Sequence, residues 1–146
     1  VTTVGQPVEV LLAEDNPGDA RLTEKAFEQG NILNNLHTVE DGVEAMKFLR
    51  REGEYQDRPR PDLVLLDLNM PRKDGWEVLE EIKEDPDLAR IPVIVLTSSE
   101  AEEDIVKSYE LQANAYLTKP VDFQGFLDIV HGFEEFWLSV VKMPPE

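Results

Sequence analysis

Glu14-Asp15 follows the run VEVLLA, Asp67 and Asn69 lie at the end of DLVLLDLN, Thr97 closes IPVIVLT, and Lys119 follows AYLT. Each is a polar group stationed where an apolar run stops, and three of them are carboxylates. Three carboxylates crowded on one rim cannot all stay ionised without a cation. Carboxylate and backbone oxygens are hard ligands, and the hard divalent cation that keeps several waters is magnesium. Asp15 and Asp67 could each supply one oxygen, and the Asn69 backbone carbonyl a third. Glu14 is better suited to hold a metal-bound water or to orient the others. Lys119 is a lone positive charge for a carboxylate or a phosphoryl oxygen, and Thr97 offers a hydroxyl donor to a second such oxygen.

A carboxylate nucleophile, a bridging magnesium, an ammonium and a hydroxyl are the parts of a phosphoryl-transfer site. They neutralise charge on the transferred group from several sides. No Gly-x-x-x-x-Gly-Lys-[Ser/Thr] loop is present, and no Gly-x-Gly-x-x-Gly follows the first run. The chain therefore reads as able to accept a phosphoryl group but not to draw one from ATP. Taken singly these residues are ordinary. Glu14-Asp15-Asn16 also reads as a turn with a helix cap, and Asp67 as a strand-end acid. Lys119-Pro120 and Thr97 alone say little, although Pro120 is a candidate for a cis bond. The strength lies in the set.

Positioning that set requires strands that end together. Val8–Ala13, Leu36–Glu40, Asp62–Leu68, Ile91–Thr97 and Ala115–Thr118 are the strand candidates. Three are near-continuous apolar runs, as suits strands covered on both faces in a parallel sheet. Helix starts stand between them: Asn16-Pro17, the Asp74/Glu77 pair, and a Ser99/Glu102 capping box. Apolar residues then recur at helical spacing, as Ala45, Phe48, Leu49; Val78, Leu79, Ile82; and Ile105, Val106, Tyr109. The last helix carries the longest stripe, through Phe123, Phe126, Leu127, Val130, Phe133, Trp137, Leu138 and Val141. Arg51–Pro61 reads as a polar loop. Five β-α units of this kind make a doubly wound α/β sheet, whose ligands sit at the carboxyl ends of its strands.

Composition sets the outer limits. At 146 residues with no dividing linker, residues 1–146 read as one domain with a core over about 7–141. Absence of cysteine excludes disulfides, thiolate metal sites and cysteine catalysis. No apolar run approaches the roughly 20 residues of a membrane helix, and no secretory signal opens the chain, so a cytoplasmic location is expected. Acids outnumber bases 31 to 14, a net charge of −17, which argues against nucleic-acid and membrane-surface binding. The bland account of these acids is a solvated outer face, and the sharper one is adaptation to high salt.

LLAEDN, LLDLNMPRKDGWEVL, IPVIVLTSS and AYLTKP, in this order and spacing, resemble the receiver domain of the response-regulator superfamily. The resemblance implies a flavodoxin-like fold of five strands in the order 2-1-3-4-5 with five helices. It makes Asp67 the phosphoacceptor, Glu14, Asp15 and Asp67 the acidic pocket for Mg2+ or Mn2+, Lys119 the phosphoryl contact and Thr97 the switch hydroxyl. Tyr116 falls at the switch aromatic, though a strand tyrosine packed on a helix is the ordinary alternative. GEYQDRPRPD, DPDLARIPV, SYELQANAYLTKP and GFEEFWLSVV further resemble the stand-alone regulators encoded beside phytochrome-type histidine kinases. Similar regulators abound in halophilic archaea, which fits the acidic surface.

The function expected is that of a stand-alone response regulator, not an enzyme. It takes a phosphoryl group from a sensor histidine kinase, assists its own slow dephosphorylation, and signals to an unidentified downstream protein. No output domain is expected, so the response would pass through onward phosphotransfer or through protein contacts made by the fourth helix, fifth strand and last helix. Two alternatives stay open: a scaffold that is never phosphorylated, and a metal-dependent aspartyl-phosphate phosphatase. The second is disfavoured because Asn69 stands where such enzymes carry a second acid. His37 and His131 have no ligand-spaced partner and are not read as metal sites, nor His37 as a phosphohistidine. Trp76 reads either as a cover over the site or as a surface residue. Phe133, Phe136 and Trp137 are expected to pack mostly on the sheet, with one or two left over for a homodimer or kinase contact.

Overall fold

Strands with apolar side chains on both faces are stable only between two layers of helices. The computed structural model describes residues 7–98, 102–111, 113–120 and 122–139. It contains strands β1 (Val8–Ala13), β2 (Asn34–Val39), β3 (Leu63–Leu66), β4 (Val93–Thr97) and β5 (Ala115–Thr118). Between and after them run α1 (Pro17–Glu28), α2 (Gly42–Arg50), α3 (Gly75–Glu84), α4 (Glu102–Glu110) and α5 (Phe123–Ser139). The strands form one parallel sheet in the order β2-β1-β3-β4-β5, as the resemblance implies. No helix among the described residues is long and apolar enough to cross a membrane.

The two-residue period of the strands divides the core. Leu11, Ala13, Val64, Leu66, Val93 and Val95 face Ala45, Phe48 and Leu49 of α2 and Val78, Leu79 and Ile82 of α3. Val10, Leu12, Leu63, Leu65 and Leu96 face Ala26 and Phe27 of α1 and Phe126, Val130 and Phe133 of α5. Both predicted helix stripes on α2 and α3 are buried, and Phe133 meets Phe27 with ring centroids 6.2 Å apart.

Helix caps fix where the elements start. Asn16 accepts from the Asp19 N–H with Pro17 at the first helical position, and Asp74 and Glu77 close a reciprocal capping box. Asp41 and Asp122 cap α2 and α5 in the same way, at 2.8 Å and 2.9 Å, and neither was read from the sequence. Ser99 of the expected capping box lies outside the described residues, as do the side chains of Val106, Phe136, Trp137 and Leu138 and the whole of Val141.

Four expectations need correction. β2 begins two residues earlier than the apolar pattern suggests, because Asn34 serves the strand end: its amide donates to the Phe27 and Ile32 carbonyls. Arg51–Pro61 is not wholly irregular, since Gly53–Tyr55 makes a 3-10 turn that brings the Tyr55 hydroxyl to Glu44 at 2.7 Å. Tyr109 does not point inward but is 52% exposed. Its helix packs on the sheet edge at β5, where the covering surface is narrow. No cis peptide bond occurs among the described residues, so Lys119–Pro120 is trans, the lower-energy isomer; the Lys119 N–H instead extends the sheet by donating to Thr97 O at 2.8 Å.

Candidate functional site

Register brings the acids together. Ala13 pairs with Leu66, so the next residues, Glu14 and Asp67, leave adjacent strands side by side. The Asp67 N–H donates to Ala13 O at 3.0 Å and the Glu14 N–H to Val39 O at 3.0 Å, which carries the ladder one residue past the strand ends. One carboxylate oxygen from each of Glu14, Asp15 and Asp67 lies within 4.8 Å of the other two. Lys119 comes to the same rim from the end of β5. Its ammonium is 2.8 Å from Glu14 Oε1, 3.0 Å from Asp19 Oδ2 and 3.3 Å from Asp67 Oδ2. Thr97 closes β4 with its side chain fully buried.

The electrostatics are unbalanced. Glu14 and Asp67 are only 3% and 4% exposed, and with Asp15 and Asp19 they set four carboxylates against one ammonium. Burial pushes Glu14 up to about 7; the Lys119 hydrogen bond opposes that rise and the Asp67 charge adds to it. For Lys119, burial favours the neutral amine. Hydrogen bonds to Glu14 and Asp19 and the charge of Asp67 outweigh it, so the group is held above its ordinary value and stays an ammonium. The surplus of hard oxygen donors fits a divalent cation, and the exposed Asp15 leaves one side open to solvent.

Other predicted residues fall nearby or elsewhere. Asn69 is exposed on the β3–α3 loop, its N–H 3.4 Å from Asp67 Oδ1. Tyr116 is half-buried on β5 and packs on the core layer of α2 and α3. Trp76 does not lie free on the surface: it packs on that layer, with the Lys107 ammonium of α4 4.7 Å from its ring centroid. His37 is away from the rim, 2.8 Å from Glu9, with its ring tilted against Phe48 at 5.2 Å between centroids. Sequence reasoning missed Asp19. A signal for it existed, because it lies one helical turn after Asp15 and in the first turn of α1.

A parallel sheet in this order, with acids, a lysine and a threonine on its carboxyl rim, defines an α/β phosphoacceptor. Residues 10–131 match the response regulator receiver domain family, and the chain belongs to it: it is a phosphoaccepting component of two-component signalling. The response regulator Rcp1 of Synechocystis is 49% identical over 138 residues, 94% of each chain. The crystal structure of the Mn2+-bound form of Rcp1 superposes with a TM-score of 0.85, covering 95% of this chain and all of that one. The phosphorylated cyanobacterial phytochrome response regulator RcpA is 50% identical, with a TM-score of 0.87 over 95% of this chain and 99% of that one.

Proposed function

We propose that this chain takes a phosphoryl group from a sensor histidine kinase onto the carboxylate of Asp67. An Asp67 oxygen attacks phosphorus in line, the P–N bond to the donor imidazole breaks with its electron pair returning to the ring, and an acyl phosphate forms. Asp15, Asp67 and the Asn69 carbonyl would hold Mg2+ or Mn2+, with Glu14 orienting them, and the ion would offset the charge of the phosphoryl oxygens. Lys119 exchanges a carboxylate partner for one phosphoryl oxygen, and the Thr97 hydroxyl donates to another. Tyr116 shifts its ring as Thr97 moves. The phosphorylated form changes its preference for a downstream protein through α4, β5 and α5. A phytochrome-type kinase is the favoured donor, because RcpA is a phytochrome response regulator. The same residues assist slow hydrolysis of the acyl phosphate.

The observation that carries this reading is the single ammonium of Lys119 shared among Glu14, Asp19 and Asp67 beside a triad of carboxylates. Acetyl phosphate with and without Mg2+, read by intact mass, tests it. Wild type should gain one phosphoryl group only with the metal, and Asp67→Asn should gain none. Equal labelling of the variant at the same rate removes Asp67 from the role.

A further inference from the structure

The loop from Leu68 to Asp74 joins Asp67 to α3, and it has few internal ties. Its ends are closed by the Gly75 N–H donating to Leu68 O at 2.9 Å. Within it, the Lys73 N–H donates to Pro71 O at 2.7 Å, making a three-residue turn centred on Arg72 with φ +67°. A left-handed backbone at the centre of so tight a turn is disfavoured for a residue with a side chain. Something outside the turn has to hold it.

That support comes from α2. The Arg72 guanidinium is 3.0 Å from Asp41 Oδ2 and 3.7 Å from Glu44 Oε2. Asp41 is itself fixed, with its side chain one-tenth exposed and its second oxygen accepting the Glu44 N–H at 2.8 Å as the α2 cap. The next residue presses on the turn directly: a Cβ at Gly42 would lie 2.0 Å from Lys73 O. On the other side, the Lys73 ammonium pairs with Glu81 of α3, which also takes Arg50 of α2 at 3.3 Å. Asn69 is exposed, lies between the buried Leu68 and Met70 and three residues before Arg72, and its own N–H makes only a long contact to Asp67 among the described residues. The Leu68 and Met70 side chains anchor one side of the loop, and the turn that α2 grips fixes the other.

We propose that Asp41 and Arg72 are a positioning pair: through them the N-terminus of α2 holds the Asn69 carbonyl in register with the Asp15 and Asp67 carboxylates for a divalent ion. The inference rests on the site reading given above. Neither residue touches the ion. Both act through the loop, as outer partners of a metal ligand do.

Charge alone makes a different prediction, which allows a decisive test. Arg72→Gln removes a positive charge, so a purely Coulombic influence would tighten cation binding, whereas Asp41→Asn would loosen it. Asn retains the helix-capping oxygen, and the side-chain length of Gln matches the Arg stem closely enough to keep the fold. Mn2+ affinity is measured by electron paramagnetic resonance of the free ion for wild type, both single variants and the double variant. Thermal melts without metal establish that each is folded. The expected result is about tenfold weaker binding in both singles, no further loss in the double, and partial recovery in Arg72→Lys. Unchanged or tighter binding in Arg72→Gln, or additive losses in the double, overturns the positioning pair. Absence of Mn2+ binding in wild type, or full binding in Asp67→Asn, instead overturns the metal site and the inference with it.

Discussion

Glu14 is under conflicting demands in the metal-free protein. It is buried beside Asp67, which favours its protonated form, yet it lies 2.8 Å from an ammonium, which favours the ionised one. The outcome is a carboxyl pushed from 4.5 to about 7, chiefly by burial. Between those two values the folded chain holds a proton that the unfolded chain has released. Its contribution to metal-free stability therefore falls as pH rises through that window and levels off above it. A divalent ion beside Glu14 favours its ionised form by charge, so binding expels the proton. Calorimetric titration with Mg2+ at about pH 6, in buffers of different ionisation heat, should show release approaching one proton per ion. By about pH 8.5 the release should vanish, and Glu14→Gln should lack it throughout. Zero release by wild type at the lower pH would mean that Glu14 keeps the same protonation state with and without the ion.

The elements meet most closely where glycine starts a helix. Gly75 opens α3 against the end of β3, and a Cβ there would lie 2.2 Å from Asp67 O and 2.7 Å from Leu68 Cα. Backbone cannot move aside as a flexible side chain can. Gly75→Ala should cost about 1–3 kcal/mol in urea unfolding and slow phosphorylation by displacing Asp67. Gly132 is the contrast: on α5 a Cβ meets nothing within 4 Å, so Gly132→Ala should stabilise by about 0.5–1 kcal/mol. Equal effects of the two would show that the α3–β3 approach is not tight. Most of this arrangement was legible from the chain. Continuous apolar runs gave the strands, and polar residues at their ends gave Glu14, Asp15, Asp67, Thr97 and Lys119. Local signals of this kind report only on neighbours in sequence. Asp41 and Arg72 are 31 residues apart and Asp19 and Lys119 are 100 apart, and no periodicity or cap pattern announces such pairs. Asn34 misled for the related reason that a turn-forming residue had a strand-end task only the fold reveals.

At the scale of the whole molecule, the net charge of −17 is the dominant electrostatic fact. Among the described residues, Lys119, Arg72, Lys73 and Arg50 are already paired with acids near the site and on the α2–α3 face. The remaining acids repel one another in the folded state more than in an expanded chain, because folding brings them closer. Added salt shortens the reach of that repulsion from about 10 Å at 0.1 M to about 3 Å at 1 M. The melting temperature should therefore climb by several degrees between roughly 0.05 M and 1 M NaCl, most steeply at the low end where the screening length changes fastest. Divalent ion at millimolar level should shift the whole curve upward and reduce its slope, since it removes the densest part of the charge at the rim. A flat response at low salt would mean that the acids are balanced locally, and it would leave the acidic composition with no stake in high-salt conditions. A steep one would tie stability to the ionic strength at which the chain works.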